Sequence, residues 1–248
     1  METRNVCYDN QTVSVDCVVF AFDGVSLKVL LVRRVRTESG ESVVDYKLPG
    51  GLIAQNETLD GAVMRVMAEL TGIRHLYMRQ MEVFSDPSRV SGVDLEWVKS
   101  FYGVNASRVL TVAYFSLVKL TRKLVDYAAR NRAEWVDVQQ VRHLIMDHDL
   151  ILMRAMNYLI GQLQHEPIAF ELLPRRFTMR QLQNLYEAIL GTEIDSRNFR
   201  KKVKTFEYII PTEEREEGVA HKPALYYVFD RRIYSRIRGR FKMQISAW

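Results

Sequence analysis

Cysteine is scarce in this chain. Cys7 and Cys17 are the two in 248 residues, and their separation fits no CxxC spacing, so neither a disulfide framework nor a zinc-ligand set is expected, and a reducing cytoplasm is the simplest setting. Twelve glycines and six prolines are too few for a fibrous or low-complexity chain. No apolar run approaches the roughly 18 residues of a membrane span, and the opening METRNVCYDNQTVSVD has no apolar h-region, so neither an export signal nor a membrane partner is expected.

What the chain does contain is the composition of a folded protein, 48% apolar and 26% charged, with length for one large or two modest domains. Its net charge of +5 is unevenly spread. Residues 171–248 carry 16 Lys and Arg against 10 Asp and Glu, a balance of +6, and the rest carries 19 against 20, or −1. A basic C-terminal third points to a polyanionic partner, most commonly nucleic acid.

Residues 14–22 and 27–33 are β-branched and aromatic runs joined through Asp23-Gly24, a hairpin signal. Arg33, Arg34 and Arg36 cluster at the end of the second run, where they either face ligand phosphates or cap a solvated strand end. Residues 37–47 read as a polar loop leading to Leu48-Pro49-Gly50-Gly51, whose glycines permit close approach to a ligand. Residues 78–84 read as a strand, and 85–108 as a long polar connection. Its aromatic island, Trp97, Phe101 and Tyr102, either caps a ligand or packs as a short helix. A strand at 109–118, a basic link at 119–123, a strand at 133–138 and a short helix at 141–145 follow. Asp147 is placed to cap a long helix reaching about residue 164, and His148 beside it reads as structural.

Residues 48–73, LPGGLIAQNETLDGAVMRVMAELTGI, place Gly51, Glu57, Arg65, Met67, Glu69, Gly72 and Ile73 at fixed distances. This register resembles the Nudix box, and the resemblance implies a Nudix-type α/β/α sandwich with a mixed sheet. Two positions depart from the pattern: Val66 and Leu70 stand where the family carries glutamates. At about 100° per residue, positions 62, 65, 66, 69 and 70 share one helix face, so the family's glutamates converge on hard divalent cations that offset diphosphate charge and activate water. With Val66 and Leu70, only Glu69 remains on that face, with Glu57 at its approach. No metal, cofactor or catalytic residue is therefore expected beyond weak residual binding.

After a linker at 166–174, the C-terminal region 175–248 changes character. Thr178 and Gln181 have capping-box spacing and Phe177 can staple onto Leu182; Leu182, Leu185, Tyr186, Ile189 and Leu190 form an apolar stripe, and Gly191 supplies a stop. A second helix, SRNFRKKVKTF, is capped by Asp195 or Ser196. Phe199, Val203 and Phe206 anchor it, and Arg197, Lys201 and Lys204 face away, with Asn198, Arg200 and Lys202 on the flanks. Helix, short turn and cationic helix, followed by a hairpin at 208–229, read as a winged helix-turn-helix that enters the major groove. The wing tip is acidic, and only Arg215, His221 and Lys222 suit a DNA backbone.

A departed Nudix box at 1–165 ahead of FTMRQLQNLYEAILG and DSRNFRKK resembles the Nudix-related transcriptional regulators, which include repressors of NAD metabolism and arabinose-responsive regulators. The resemblance implies a homodimer on a palindromic operator, with the Nudix domain sensing a sugar such as arabinose or an ADP-ribose-like nucleotide. It assigns Arg197, Asn198, Arg200, Lys201, Lys204 and Lys222 to double-stranded DNA, and Arg33, Gly50, Gly51, Arg65 and Glu69 to the effector. The competing expectations are a metal-dependent hydrolase of nucleoside-diphosphate-linked substrates with a basic nucleic-acid-binding tail, and an RNA-binding adaptor.

Overall fold

The computed structural model describes residues 11–38, 41–163, 166–220 and 222–237; Cys7, the Arg36 side chain, His221 and the basic stretch from Arg238 lie outside the described residues. The chain divides into two compact units. One takes the chain through Val19, then Leu30–Ser116 and Arg122–Met153; the other takes Phe20–Val29, Leu117–Thr121 and the chain from Arg154 on. No described helix is long and apolar enough to cross a membrane.

β1 (Gln11–Phe22) and β2 (Leu27–Glu38) pair antiparallel. The Asp23 carboxylate accepts the Val25 and Ser26 amides at 2.9 and 2.8 Å, and Gly24 turns the corner at φ 101°. Residues 41–47, expected within a loop, are instead β3 (Glu41–Lys47), paired antiparallel with β2 from Val32↔Lys47 to Glu38↔Glu41. The apolar alternation that would have announced this strand is broken because Asp45 and Lys47 occupy its inner face, where charged partners meet them.

β4 (Gly50–Leu52) pairs with β1 and leads into α1 (Leu59–Thr71). Thr58 caps this helix by accepting the Gly61 amide, and Gly72 ends it at φ 71°. Ala62, Val63, Val66 and Met67 are its buried face. β5 (Arg79–Phe84) is followed by α2 (Gly92–Tyr102), so the aromatic island is helical. Trp97 stacks on Phe101 at 5.0 Å, and Trp97 and Tyr102 pack against Val90, Val98, Ala106 and Val109.

β6 (Arg108–Lys119) gives way to α3 (Arg122–Arg130), whose first two residues fall in the basic link expected at 119–123 and whose one buried residue is Ala128. β7 (Ala133–Asp137) completes a seven-stranded sheet with the path β3-β2-β1-β6-β5, β4 joining β1 and β7 joining β2. The short helix expected at 141–145 is absent. A 3-10 turn occupies Val138–Gln140, capped by Asp137, Val141 beyond it is extended, and Ile145 donates to the Tyr46 carbonyl.

α4 (His148–Leu163) begins in the first unit and ends in the second. Beyond it come a 3-10 turn at Ile168–Glu171, β8 (Arg176–Thr178), α5 (Met179–Leu190), α6 (Ser196–Val203), β9 (Ile209–Arg215), β10 (Leu225–Phe229) and α7 (Arg231–Ile237). The strands form a second sheet, β8-β10-β9. Thr178 and Gln181 make both halves of a capping box, Gly191 ends α5 at φ 67°, and Asp195 caps α6. Such caps stabilise helices by about 1 kcal/mol each. Gln183 ties α5 to α6 by donating to the Ile194 carbonyl and Ser196 hydroxyl at 3.0 and 2.9 Å. Phe170, in the stretch expected as linker, is buried with Leu172 and Leu173 and stacks on Phe229 at 4.5 Å and 5°.

Candidate effector pocket and nucleic-acid interface

An aspartate in the apolar run VSVDCVVFAF demands partners, because an unpaired buried carboxylate is costly. Asp16 finds them on four other stretches of chain. Arg89 Nη2 lies 3.4 Å from Asp16 Oδ2, His148 Nε2 lies 3.5 Å from Oδ1, and Lys47 contributes its field. Burial alone would push the Asp16 carboxyl up, yet His148, Arg89, Lys47 and Thr111 outweigh it and hold it below the usual carboxylate range. His148 Nδ1 accepts the Leu48 amide at 3.0 Å, which places its proton on Nε2 toward Asp16. Burial keeps this imidazole below its ordinary pKa, in the neutral form. Lys47 donates to the Gly50 carbonyl at 2.7 Å, and burial lowers its pKa to about 8 despite Asp16.

These groups line a small cavity of about 30 Å³ bounded also by Ser14, Gly50, Gly51, Trp97, Tyr102 and Met146, room for about one water molecule. Gly50 is obligatory here: a Cβ would fall 1.8 Å from Asp16 Oδ1 and 2.8 Å from the Val15 carbonyl. Beside Trp97, Arg34 donates to both Asp45 oxygens at 2.7 Å and to Asp94 at 2.9 Å, with its guanidinium 5.1 Å from the Trp97 ring. Arg89 grips Asp147 through Nε at 2.9 Å and Nη2 at 2.7 Å. Around the cavity, then, Arg34, Lys47 and Arg89 stand among Asp16, Asp45, Asp94 and Asp147, and each arginine is committed to a carboxylate.

The sequence-designated effector residues separate into three places. Gly50 and Gly51 line the cavity. Arg65 and Glu69 lie on α1 and Glu57 in the turn before it: Arg65 donates to Glu57 at 2.9 and 2.8 Å, to Glu69 at 3.4 Å and to the Leu52 carbonyl at 2.9 Å. Arg33 is exposed opposite Tyr46, and strand alternation turns it to the face away from Arg34. Asp16, Lys47 and Arg89 were missed; the lone aspartate inside an apolar strand was the available signal.

Val66 is 2% exposed and lies beside Gly51, and the Glu57 carboxylate is held below its usual range by the hydrogen bonds from Arg65. Among the described residues, no group of three or more His, Cys, Asp and Glu side chains is placed to hold a metal.

In the second unit, Phe199 and Val203 are buried while Arg197, Asn198, Arg200, Lys201 and Lys204 are exposed. Arg197, Arg200, Lys201 and Lys204 line one open groove with Ser196. Four cationic side chains over about two turns of a helix whose other face is buried suit a phosphate-flanked groove. Lys222 is exposed beyond β9. The wing also carries Glu213, Glu214, Glu216 and Glu217; Glu214 pairs with Arg176, and Arg215 turns to the Pro223 carbonyl at 3.2 Å.

A box helix on a mixed sheet, followed by a winged helix-turn-helix, defines a Nudix-related protein of the transcription-regulator class. The chain belongs to the NUDIX domain family, whose profile matches residues 10–154, and the NrtR DNA-binding winged helix domain matches residues 169–229. The chain is similar to the ADPR responsive transcriptional repressor NtrR of Acinetobacter baylyi, 27% identical over 227 residues and covering 90% of this chain and 83% of that one. It is also similar in fold to Shewanella oneidensis NrtR, at 24% identity and a TM-score of 0.65 over 93% of this chain and 97% of that one. The same protein complexed with a 27mer DNA matches at 25% identity and a TM-score of 0.64, with the same shares.

Proposed function

We propose that this chain is a ligand-responsive transcriptional repressor: residues 1–165 sense a small metabolite, 166–174 connect, and 175–248 bind operator DNA. The observation that carries the reading is the exposed cationic face of α6 on an NrtR-type winged helix. The similarity to a repressor over most of the chain supports it. The protein acts in the cytoplasm as a homodimer on a palindromic site, with Arg197, Asn198, Arg200, Lys201, Lys204 and Lys222 at the DNA. It does not turn over diphosphates, because Val66 and Leu70 supply no metal donors and Arg65 occupies both remaining glutamates.

The effector is a neutral polyhydroxylated molecule such as arabinose, and a pentose requires the cavity, about 30 Å³ in this structure, to open around it. The charged groups that line the cavity are Asp16, Lys47 and Arg89, with Arg89 held by Asp147 and Lys47 by the Gly50 carbonyl, and these paired groups with His148 beside Trp97 and Tyr102 suit hydroxyls and a sugar's apolar face. ADP-ribose is the second reading, favoured by the similarity to the ADPR responsive repressor of Acinetobacter baylyi. Gel shifts of duplexes from the chain's own genomic surroundings test the proposal, with specific binding at about 10⁻⁸ M or tighter expected. Robust Mg²⁺- or Mn²⁺-dependent hydrolysis of ADP-ribose that Glu69→Gln abolishes would overturn it.

A further inference from the structure

Three consecutive residues lead into α4, and each is tied to a different wall of the cavity. Met146 donates its amide to Asp94 Oδ2 of α2 at 3.3 Å and holds a left-handed φ of 56°, a conformation that a non-glycine residue keeps only when its surroundings enforce it. Asp147 takes both nitrogens of its bidentate pair from Arg89, which is 2% exposed at its side chain. His148 accepts the Leu48 amide and faces Asp16. Met146, His148 and Arg89 line the cavity and Asp147 does not. The Asp147 carboxylate serves Arg89 while its backbone carbonyl accepts the Ile151 amide, so one residue joins the cavity's arginine to the first turn of α4. That helix ends in the unit that carries the winged helix.

We propose that Asp147 is the positioning residue through which occupancy of the cavity governs operator binding. The inference rests on the sensor reading above. A ligand that accepts hydrogen bonds from Arg89 or donates them to Asp16 competes with the groups that hold the start of α4, so the empty and filled cavities favour different placements of the helix. Differential interaction of this kind is what a population shift requires. Asp147→Asn keeps the shape of the side chain and weakens its pair with Arg89, leaving every cavity-lining group in place.

The test uses the full chain, with operator affinity measured by fluorescence anisotropy with and without saturating arabinose or ADP-ribose, and affinity of the DNA-free protein for each probe measured by calorimetry. The wild-type chain is expected to lose operator affinity by about tenfold with one probe. Asp147→Asn is expected to bind operator and probe yet shift by less than about twofold. Asp94→Asn, which releases the neighbouring Met146 tether, provides a second variant should the first fail to fold, and thermal melts compare the stabilities. An equal shift in wild type and folded variants would overturn the proposal while leaving the sensor reading intact. Silence of the wild-type chain itself toward both probes would sink the sensor reading and the proposal with it.

Discussion

Arg65 donates through Nε and Nη2 to the two carboxylate oxygens of Glu57, at 2.9 and 2.8 Å, while its Nη1 reaches Glu69 at 3.4 Å. The bidentate pair raises the guanidinium pKa above its ordinary value, so this cation does not leave by titration. Two carboxylates that accept from one permanent internal cation are poor donors to a second, doubly charged one.

Restoring the absent donors should therefore restore a metal response. Val66→Glu places a charge at a site 2% exposed and should cost roughly 3–5 kcal/mol in metal-free buffer. The double variant Val66→Glu/Leu70→Glu should recover part of that loss on addition of Mn²⁺, read as a rise in Tm that the wild-type chain lacks. Equal Mn²⁺ effects on both proteins would count against the assignment.

On α6, Arg200→Ala and Lys201→Ala should each weaken operator binding by about 1–3 kcal/mol while leaving effector affinity unchanged. A residue that contacts phosphate should also lower the salt slope by about one. Anisotropy titrations over a range of salt concentrations distinguish the two roles, and no loss for either variant would remove α6 as the DNA reader.

The acidic wing makes the opposite prediction. Glu213 and Glu217 are exposed and repel a phosphate backbone, so Glu213→Gln/Glu217→Gln should raise operator affinity about two- to fivefold at low salt, with the gain shrinking as salt is added. Unchanged affinity at low salt would place the wing away from the duplex.

His148 gives stability a pH dependence of definite sign. Its folded pKa is depressed by burial, so below its ordinary pKa of 6.5 the unfolded chain binds a proton that the folded chain resists. Stability should fall as pH falls from about 6.5 toward the folded value. Asp16, also depressed, extends the loss at lower pH, where the unfolded carboxylate is protonated first. Thermal melts between pH 7 and 5 should show the decline, and His148→Gln should flatten its upper part.

Phe170 tests where the second unit begins. Its stacking on Phe229 and its 5.5 Å approach to Phe177 make Phe170→Ala worth about 3–5 kcal/mol. Denaturant melts followed by DNA binding should show that loss in the winged helix. A change under 1 kcal/mol would make 166–174 a connector only.

The elements that could be read from sequence are those whose signals are local. Asp23-Gly24 marks its hairpin, Thr178 and Gln181 their capping box, and the distances from Gly51 to Ile73 their box helix, because each acts within a few residues. β3 hid because Asp45 and Lys47 point inward to charged partners, and α3 because a solvated helix carries almost no buried stripe. The cavity was the least visible feature. Asp16, Lys47, Arg89 and His148 come from distant parts of the chain and meet only once the sheet forms, and Arg33 was preferred to Arg34 although strand alternation gives them opposite faces.

Titrating arabinose, and separately ADP-ribose, into a preformed complex of the full chain with its operator, with product formation followed in the same sample, measures the central claim directly. The account predicts that one ligand releases the duplex without being consumed, and favours the neutral sugar. A complex indifferent to both, or a ligand steadily hydrolysed while the duplex stays bound, would contradict it.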